Sequence, residues 1–349
     1  MADVAKQAGV SKNAVSLALR HDPRIPSVTR ERILRVCRQM GYRPNPTVGE
    51  LMARLRKGRH PAARAPLALI NANRDPQAFV HHPTIPTYVA GCRRRAESLG
   101  YFLDDFWLHD PRMDGNAMCR VFHARNIRGV VIVGLMDENR LPSTFLPVIE
   151  RYPCVVTGVS TRDPALSYAC VDHHRLTLEA MEQVRALGYR RPGLVLDRVI
   201  DALVSGRFTA GYLVGQRHLP SRDRLPPFYD VAEARRRPAL FYEWKQRYRP
   251  DVIFTLYNVV QDWVEAEGLR VPDDLGLVQL EVRASQPEWA GMNQHNDLVG
   301  EAAVDMLVGM IHRGEKGAPE FPRATLIGAT WRDGTTVRLQ QCRSGRAVI

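Results

Sequence analysis

DVAKQAGVSKNAVSLALR, residues 3–20, holds two short helical patterns around a single glycine. Val4, Ala5 and Ala8 fall on one apolar edge of a first helix, and Gly9, free to take a positive φ, ends it. Ser11 offers a side-chain oxygen to the open amides of a second helix. In that helix Ala14, Val15, Ala18 and Leu19 share a small apolar face, suited to packing on the first. Lys12, Asn13, Ser16, Leu17 and Arg20 share the other face, which is mostly polar. A third helix is expected from near Ser27 to Met40, with Ile33, Val36, Cys37 and Met40 buried and Arg30, Arg32, Arg35 and Arg38 in water. Gly41 closes it, and the prolines bracketing Asn45 make GYRPNP a loop. Three short helices with a glycine turn between the first two form a helix-turn-helix pattern.

The chain's positive charge gathers around this stretch. Of 349 residues, 49 are Lys or Arg and 37 are Asp or Glu, a formal net charge of +12. Residues 1–66 hold 14 basic against 4 acidic side chains, and the remaining 283 hold 35 against 33. A concentrated excess points to a polyanion, because each neutralised phosphate releases a condensed counterion. By composition alone, a basic surface without a partner is the alternative. No apolar run approaches membrane-spanning length, and Asp3, Lys6, Lys12 and Arg20 argue against a secretory signal. The expectation is a cytoplasmic, nucleoid-associated chain with no membrane partner. Six cysteines (Cys37, Cys92, Cys119, Cys154, Cys170, Cys342) are scattered without a C-x-x-C, which predicts reduced, mostly buried thiols.

From residue 67 onward, apolar runs alternate with amphipathic ones. LALIN (67–71), GVVIVGL (129–135), PCVVTGV (153–159), PGLVL (192–196), DVIFTL (251–256) and LGLVQL (275–280) read as buried strands. Residues 101–108 are aromatic and strand-like, while 86–100, 114–125 and 176–189 are helical. Buried strands separated by helices imply doubly wound α/β layers.

DVAKQAGVS…VS..L, then DPR, TRERIL and GYRPN, resembles the headpiece of the lactose-repressor (LacI/GalR) family of bacterial regulators over residues 3–45. NIRGVVIVG, RFTAGY, GLRVPDDLGLVQL and QHNDLVGEAAVDML resemble that family's effector domain, which is similar to periplasmic binding proteins. The resemblance implies a helix-turn-helix domain (1–45), a hinge helix or linker (46–66) and an effector-binding and dimerisation domain (67–340). That domain would be two Rossmann-like lobes, 67–155 with 283–312 and 156–282 with 313–340, followed by a tail (341–349). It also implies that Lys12 and Asn13 read base edges, where Lys suits guanine and Asn suits adenine. Ser16, Tyr42 and Asn45 match phosphate-touching positions, and Arg20 and Arg24 complete the DNA-facing set. Leu17 departs from the family's frequent Arg but can pack on a thymine methyl. Ala14, Arg20 and Pro26 also depart from the family pattern, which leaves the operator sequence open and makes Ser27 the expected cap of the third helix.

Within the hinge, the family wedges a Leu into the minor groove. Counting from Asn45 favours Leu51, and counting back from Lys57-Gly58-Arg59 favours Leu55; Arg54, Arg56, Lys57 and Arg59 would follow phosphates. In the cleft between lobes, Arg207 matches an effector-contacting Arg whose planar fork suits vicinal hydroxyls or a carboxylate. Tyr257–Asn258 stands where the family has Asn-Asp, which removes a carboxylate. Glu281 stands near a family Asp, Asp172–His173 near a family Asp-Asn, and Gln294 at a matching Gln. The expected effector is a small molecule, a sugar or related metabolite, though not an ordinary hexose; an empty, degenerate pocket is the alternative.

Catalytic motifs are missing: there is no G-x-S-x-G, no P-loop and no strand-linked G-x-G-x-x-G. Asp172-His173-His174 reads as surface after a strand rather than a metal site, and His81–His82 as a solvated loop. No cofactor or metal is expected, and a sugar-modifying enzyme on the same body is the remote alternative. The sequence thus predicts a regulator, by family habit a repressor, acting as a homodimer on a near-palindromic double-stranded operator. RLQQCRSGRAVI (338–349) lacks the heptads of a tetramerising tail.

Overall fold

The computed structural model describes residues 2–18, 25–40 and 65–340, and the chain divides near residue 64 into two compact units. In the smaller unit, α1 (Ala2–Gln7), α2 (Lys12–Ala18) and α3 (Ser27–Gln39) enclose a small core. Val4 and Ala5 of α1, with Ala8 just after it, meet Val15 and Ala18 of α2 and Ile33, Val36 and Cys37 of α3. Gly9 takes φ 64°, and the Ser11 hydroxyl accepts from the Ala14 amide at 3.1 Å, as the sequence suggested. Two expectations fail. Met40 lies beyond the last helical turn and is 40% exposed, and Pro26 rather than Ser27 occupies the N-cap of α3, without a side-chain bond. Leu19, the hinge and the tail lie outside the described residues.

The larger unit contains the strands β1 (Ala65–Asn71), β2 (Tyr101–Trp107), β3 (Val130–Val133), β4 (Cys154–Thr157) and β5 (Ser167–Val171). They continue with β6 (Pro192–Val195), β7 (Val252–Thr255), β8 (Gly276–Gln279), β9 (Gly291–Asn293), β10 (Ala324–Ile327) and β11 (Thr330–Arg332). Helices α4 (Ala78–His81), α5 (Ile85–Ser98), α6 (Gly115–Ala124), α7 (Leu146–Arg151) and α8 (His173–Ala186) belong to the first half. After them come α9 (Arg198–Leu203), α10 (Arg207–Gly215), α11 (Val231–Ala234), α12 (Ala239–Tyr248), α13 (Val259–Ala266) and α14 (Asn296–Arg313). One sheet runs β2-β1-β3-β4-β5-β10 and is parallel throughout. The other runs β6-β7-β8-β9-β11, with only β11 antiparallel. VVIV of β3 and CVVT of β4 are buried along their whole length, because helices cover both faces of a parallel sheet.

The lobe boundaries differ from those expected. β5 pairs with β4, so the first lobe continues through Val171 instead of ending at 155. β9 pairs with β8, which keeps the second lobe going to Asn293 rather than 282. β10 pairs with β5, which returns residues 324–327 to the first lobe before β11 joins the second. Local pattern marks a strand but not the sheet it enters, since pairing is a long-range choice.

Helices α5 and α14 cross at very short range in the first lobe. A Cβ on Gly91 would lie 1.9 Å from the Asp297 carbonyl oxygen, and one on Gly300 2.2 Å from that of Tyr88. The contact fixes the N-terminal half of α5, and with it Tyr88, against the strand ends. Side-chain caps set two more helices: Asp114 accepts from the Ala117 amide at 2.7 Å, and Asp172 from the Arg175 amide at 3.1 Å. The five described cysteines are free and buried.

Candidate functional site

The carboxyl ends of the parallel strands in both sheets face a cavity of about 480 Å³, the place where open α/β sheets bind ligands. The first lobe contributes Tyr88, Leu135, Met136 and Val159, and the second Ile200, Phe208, Leu256 and Tyr257. The wall is mostly apolar by area, and its polar side chains include His82, His173, Arg235, Asn258, Glu281 and Arg283.

Glu281 is the most heavily engaged of these. Its carboxylate accepts from the Thr84 hydroxyl at 3.1 Å and from the Asn296 amide at 2.8 Å, and Arg283 Nη2 stands 3.8 Å away. Thr84 and Asn296 belong to the first lobe, so this second-lobe carboxylate bridges the cleft. Burial raises its pKa, while Arg283 and the two donors hold the rise back. His82 accepts from the amides of Thr84 and Ile85 at the start of α5, and burial and Arg283 lower its pKa. His173 packs 4.5 Å from Phe208, centroid to centroid, with no partner on Nδ1. Burial, seconded by Arg207, brings its pKa down to about 3, so the ring is neutral at pH 7. Asn258 accepts from Gln279 at 2.7 Å, and Gln294 donates to the Leu280 carbonyl at 2.8 Å. The Arg235 guanidinium lies over the Tyr257 ring, 5.6 Å from its centroid.

The sequence-selected residues divide. Tyr257, Asn258, Glu281 and Gln294 line the cavity. Arg207 does not: Nη2 donates to the Tyr168 hydroxyl at 2.7 Å and Nη1 to the Cys170 sulfur at 3.4 Å, both on β5. Asp172 does not either, because its carboxylate caps α8. His173 is buried and lines the cavity, and His82 lines it too, so neither is the solvated residue expected from sequence. Arg283, Phe208 and Tyr88 carried no signal of their own: their placement follows from loop ends and helix starts that come together only in three dimensions. A histidine three residues before Ile85, the first residue of α5, was the one available hint, since such a nitrogen can accept from open helix amides.

In the smaller unit, Lys12 and Asn13 open α2, and Ser16 lies within it; Leu17 is half-buried. Arg20, Arg24, Tyr42, Asn45, Leu51 and Arg54 lie outside the described residues. Among the described residues, no helix is long and apolar enough to cross a membrane, and no group of three or more His, Cys, Asp or Glu could hold a metal.

Comparison with known proteins places both units. Residues 1–45 match the model of bacterial regulatory proteins, lacI family, and residues 181–337 match the periplasmic binding protein-like domain. The HTH-type transcriptional regulator MalR of Streptococcus pneumoniae is 22% identical over 189 residues, 54% of each chain. The chain thus spans about half the length of the curated relatives it matches. Among solved structures, the transcriptional regulator CelR in complex with cellobiose aligns with TM-score 0.57 and 18% identity over 95% of this chain and 98% of that one. The Lac repressor dimer bound to operator and the anti-inducer ONPF aligns with TM-score 0.56 and 18% identity over 96% and 98%. The regulator CcpA of Lactococcus lactis aligns with TM-score 0.57 and 13% identity over 78% and 99%. At these identities the structural likenesses show the shared fold. The helix-turn-helix portion thus matches the lacI family of bacterial regulatory proteins, and the body behind it matches the periplasmic binding protein-like domain.

Proposed function

We propose that the chain is a DNA-binding transcriptional regulator, a repressor, whose operator affinity responds to a small molecule in the inter-lobe cavity. One observation carries the reading: α2, capped by Ser11 and packed on α1, begins with Lys12 and Asn13 in the portion that matches the lacI family. A short polar helix of this kind fits the major groove, and the excess of basic residues in 1–66 supplies attraction to phosphates. Homodimerisation would pair two headpieces on a near-palindromic site. Ligand in the cavity would alter the angle between lobes, and the hinge (46–66) would pass that change to the headpieces. Lys12, Asn13, Ser16, Leu17, Arg20, Arg24, Tyr42, Asn45, Leu51 and Arg54 are the proposed DNA-contacting set. Tyr257, Asn258 and Glu281 are the proposed effector contacts, now without Arg207 and Asp172.

In vitro selection of duplex DNA with the full-length chain tests the proposal. A symmetric consensus bound in a salt-sensitive way is the expected outcome. Binding that shows no sequence preference at any salt concentration would overturn it.

A further inference from the structure

The cavity is built for a ligand of narrower chemistry than the family's fold requires. This inference rests on reading the cavity as a sensor pocket. A sugar presents hydroxyls around its whole ring, and each must find a partner when buried. Several of the wall's hydrogen-bonding side chains are already engaged: Thr157 donates to the Ile132 carbonyl, Gln294 to the Leu280 carbonyl, and the Tyr257 hydroxyl accepts from the Asp197 amide. Leu135, Met136, Val159, Ile200, Phe208 and Leu256 present no hydrogen-bonding side chain. The only carboxylate lining the cavity among the described residues, Glu281, already accepts from Thr84 and Asn296. Asn258 Oδ1 is taken by Gln279.

The charges point the same way. Among the lining residues Arg235 and Arg283 are guanidiniums and Glu281 is the only carboxylate. The lining thus sets two guanidiniums against one carboxylate. Arg283 keeps a buried Nε with no acceptor, and its Nη2 stands 3.8 Å from a carboxylate with other donors. Arg235 has the Tyr257 π face beneath it. A planar guanidinium with open N–H groups is a fork for a carboxylate.

We infer that the effector is an amphipathic carboxylate: an apolar ring or chain in the wall around Phe208 and Leu256, with its anionic head on Arg283 and Arg235. The body gains from leaving water, and the head answers the two guanidiniums.

Isothermal titration calorimetry of the full-length chain tests this with phenylacetate, cyclohexanecarboxylate and indole-3-acetate, the amide of each, and glucose, ribose and maltose. At least one acid should bind, with its amide about tenfold weaker or more. Arg283→Gln should abolish the preference for acid over amide, and Arg235→Gln should reduce it. The acid–amide comparison on the unaltered chain needs no variant to fold. Equal binding of acid and amide, or no binding by any of the three acids, would overturn the inference. Binding of a sugar alone would also overturn it while leaving the sensor reading intact. If an acid binds as expected but leaves affinity for the selected DNA unchanged, the ligand class holds and the sensor reading falls.

Discussion

Arg207 Nη2 donates to the Tyr168 hydroxyl at 2.7 Å, and so joins α10 to a strand of the other lobe. The helix itself is anchored in the second lobe, where the Tyr212 hydroxyl donates to the Pro192 carbonyl at 2.9 Å. The residue that family likeness assigns to the ligand is thus a strut between lobes. Tyr168→Phe keeps the ring and removes the acceptor, and Arg207→Gln removes the fork. Each should lower the unfolding free energy by about 1–2 kcal/mol, with a coupling of about 1 kcal/mol in the double variant. Urea midpoints measure this, and strictly additive losses would deny the bond any energetic role.

Gly91→Ala should be among the most damaging single methyl additions in the chain. The new carbon would fall on the Asp297 carbonyl, so α5 and α14 would have to separate. Overpacking of this kind costs about 1–3 kcal/mol or more. A thermal midpoint equal to that of the parent would mean that the two helices cross at a greater distance.

His173 gives stability a pH dependence of definite sign. In the unfolded chain it takes up a proton below about pH 6.5. In the folded chain, with its pKa lowered to about 3, it stays neutral through that window. Stability should therefore fall as pH drops from about 6.5 toward 3, by at most about 1.4 kcal/mol per unit from this residue. Glu281 opposes it, since a carboxylate with a raised folded pKa gains its proton more readily in the folded state. His173→Phe keeps an aromatic ring beside Phe208 and should flatten the curve between pH 6.5 and 4.5. Parallel curves for parent and variant would show that the ring is reached by protons without unfolding.

Asn13→Ala should relax preference at one base pair of the operator by roughly 1–3 kcal/mol and leave the other positions alone. Binding assays against single-base variants of the selected site read this directly. Weakening that is uniform over all sequences would remove Asn13 from base reading.

Leu51→Ala should reduce the bend imposed on operator DNA, followed by energy transfer between dyes on the duplex ends. An unchanged bend would move the wedge to Leu55 or eliminate it.

The elements were far easier to anticipate than their partners. VVIV, CVVT and the glycines after α5 and α8 are local signals, and the strands and helices they mark are where they were expected. SYACV of β5 is short and opens with Ser and Tyr, so it did not stand out as a strand, and the lobe boundary moved with it. In the cleft, position along the chain said little about direction. Asp172 and His173 are neighbours, yet one carboxylate turns back to cap a helix and the imidazole beside it enters the cavity. Arg207 and Phe208 exchange roles in the same way, since adjacent residues on a helix point about 100° apart.

Because β10 completes a sheet whose other members precede residue 172, the first lobe cannot be made from one continuous piece of chain. During translation its strands β1–β5 emerge early, but the edge of β5 stays bare until β6–β9 of the second lobe and α14 have followed. A truncation anywhere between residues 172 and 324 would leave that row of amides and carbonyls exposed to neighbours. Dissecting this protein into separately expressed halves would therefore require reordering the gene, and simple shortening would yield sticky, incomplete species.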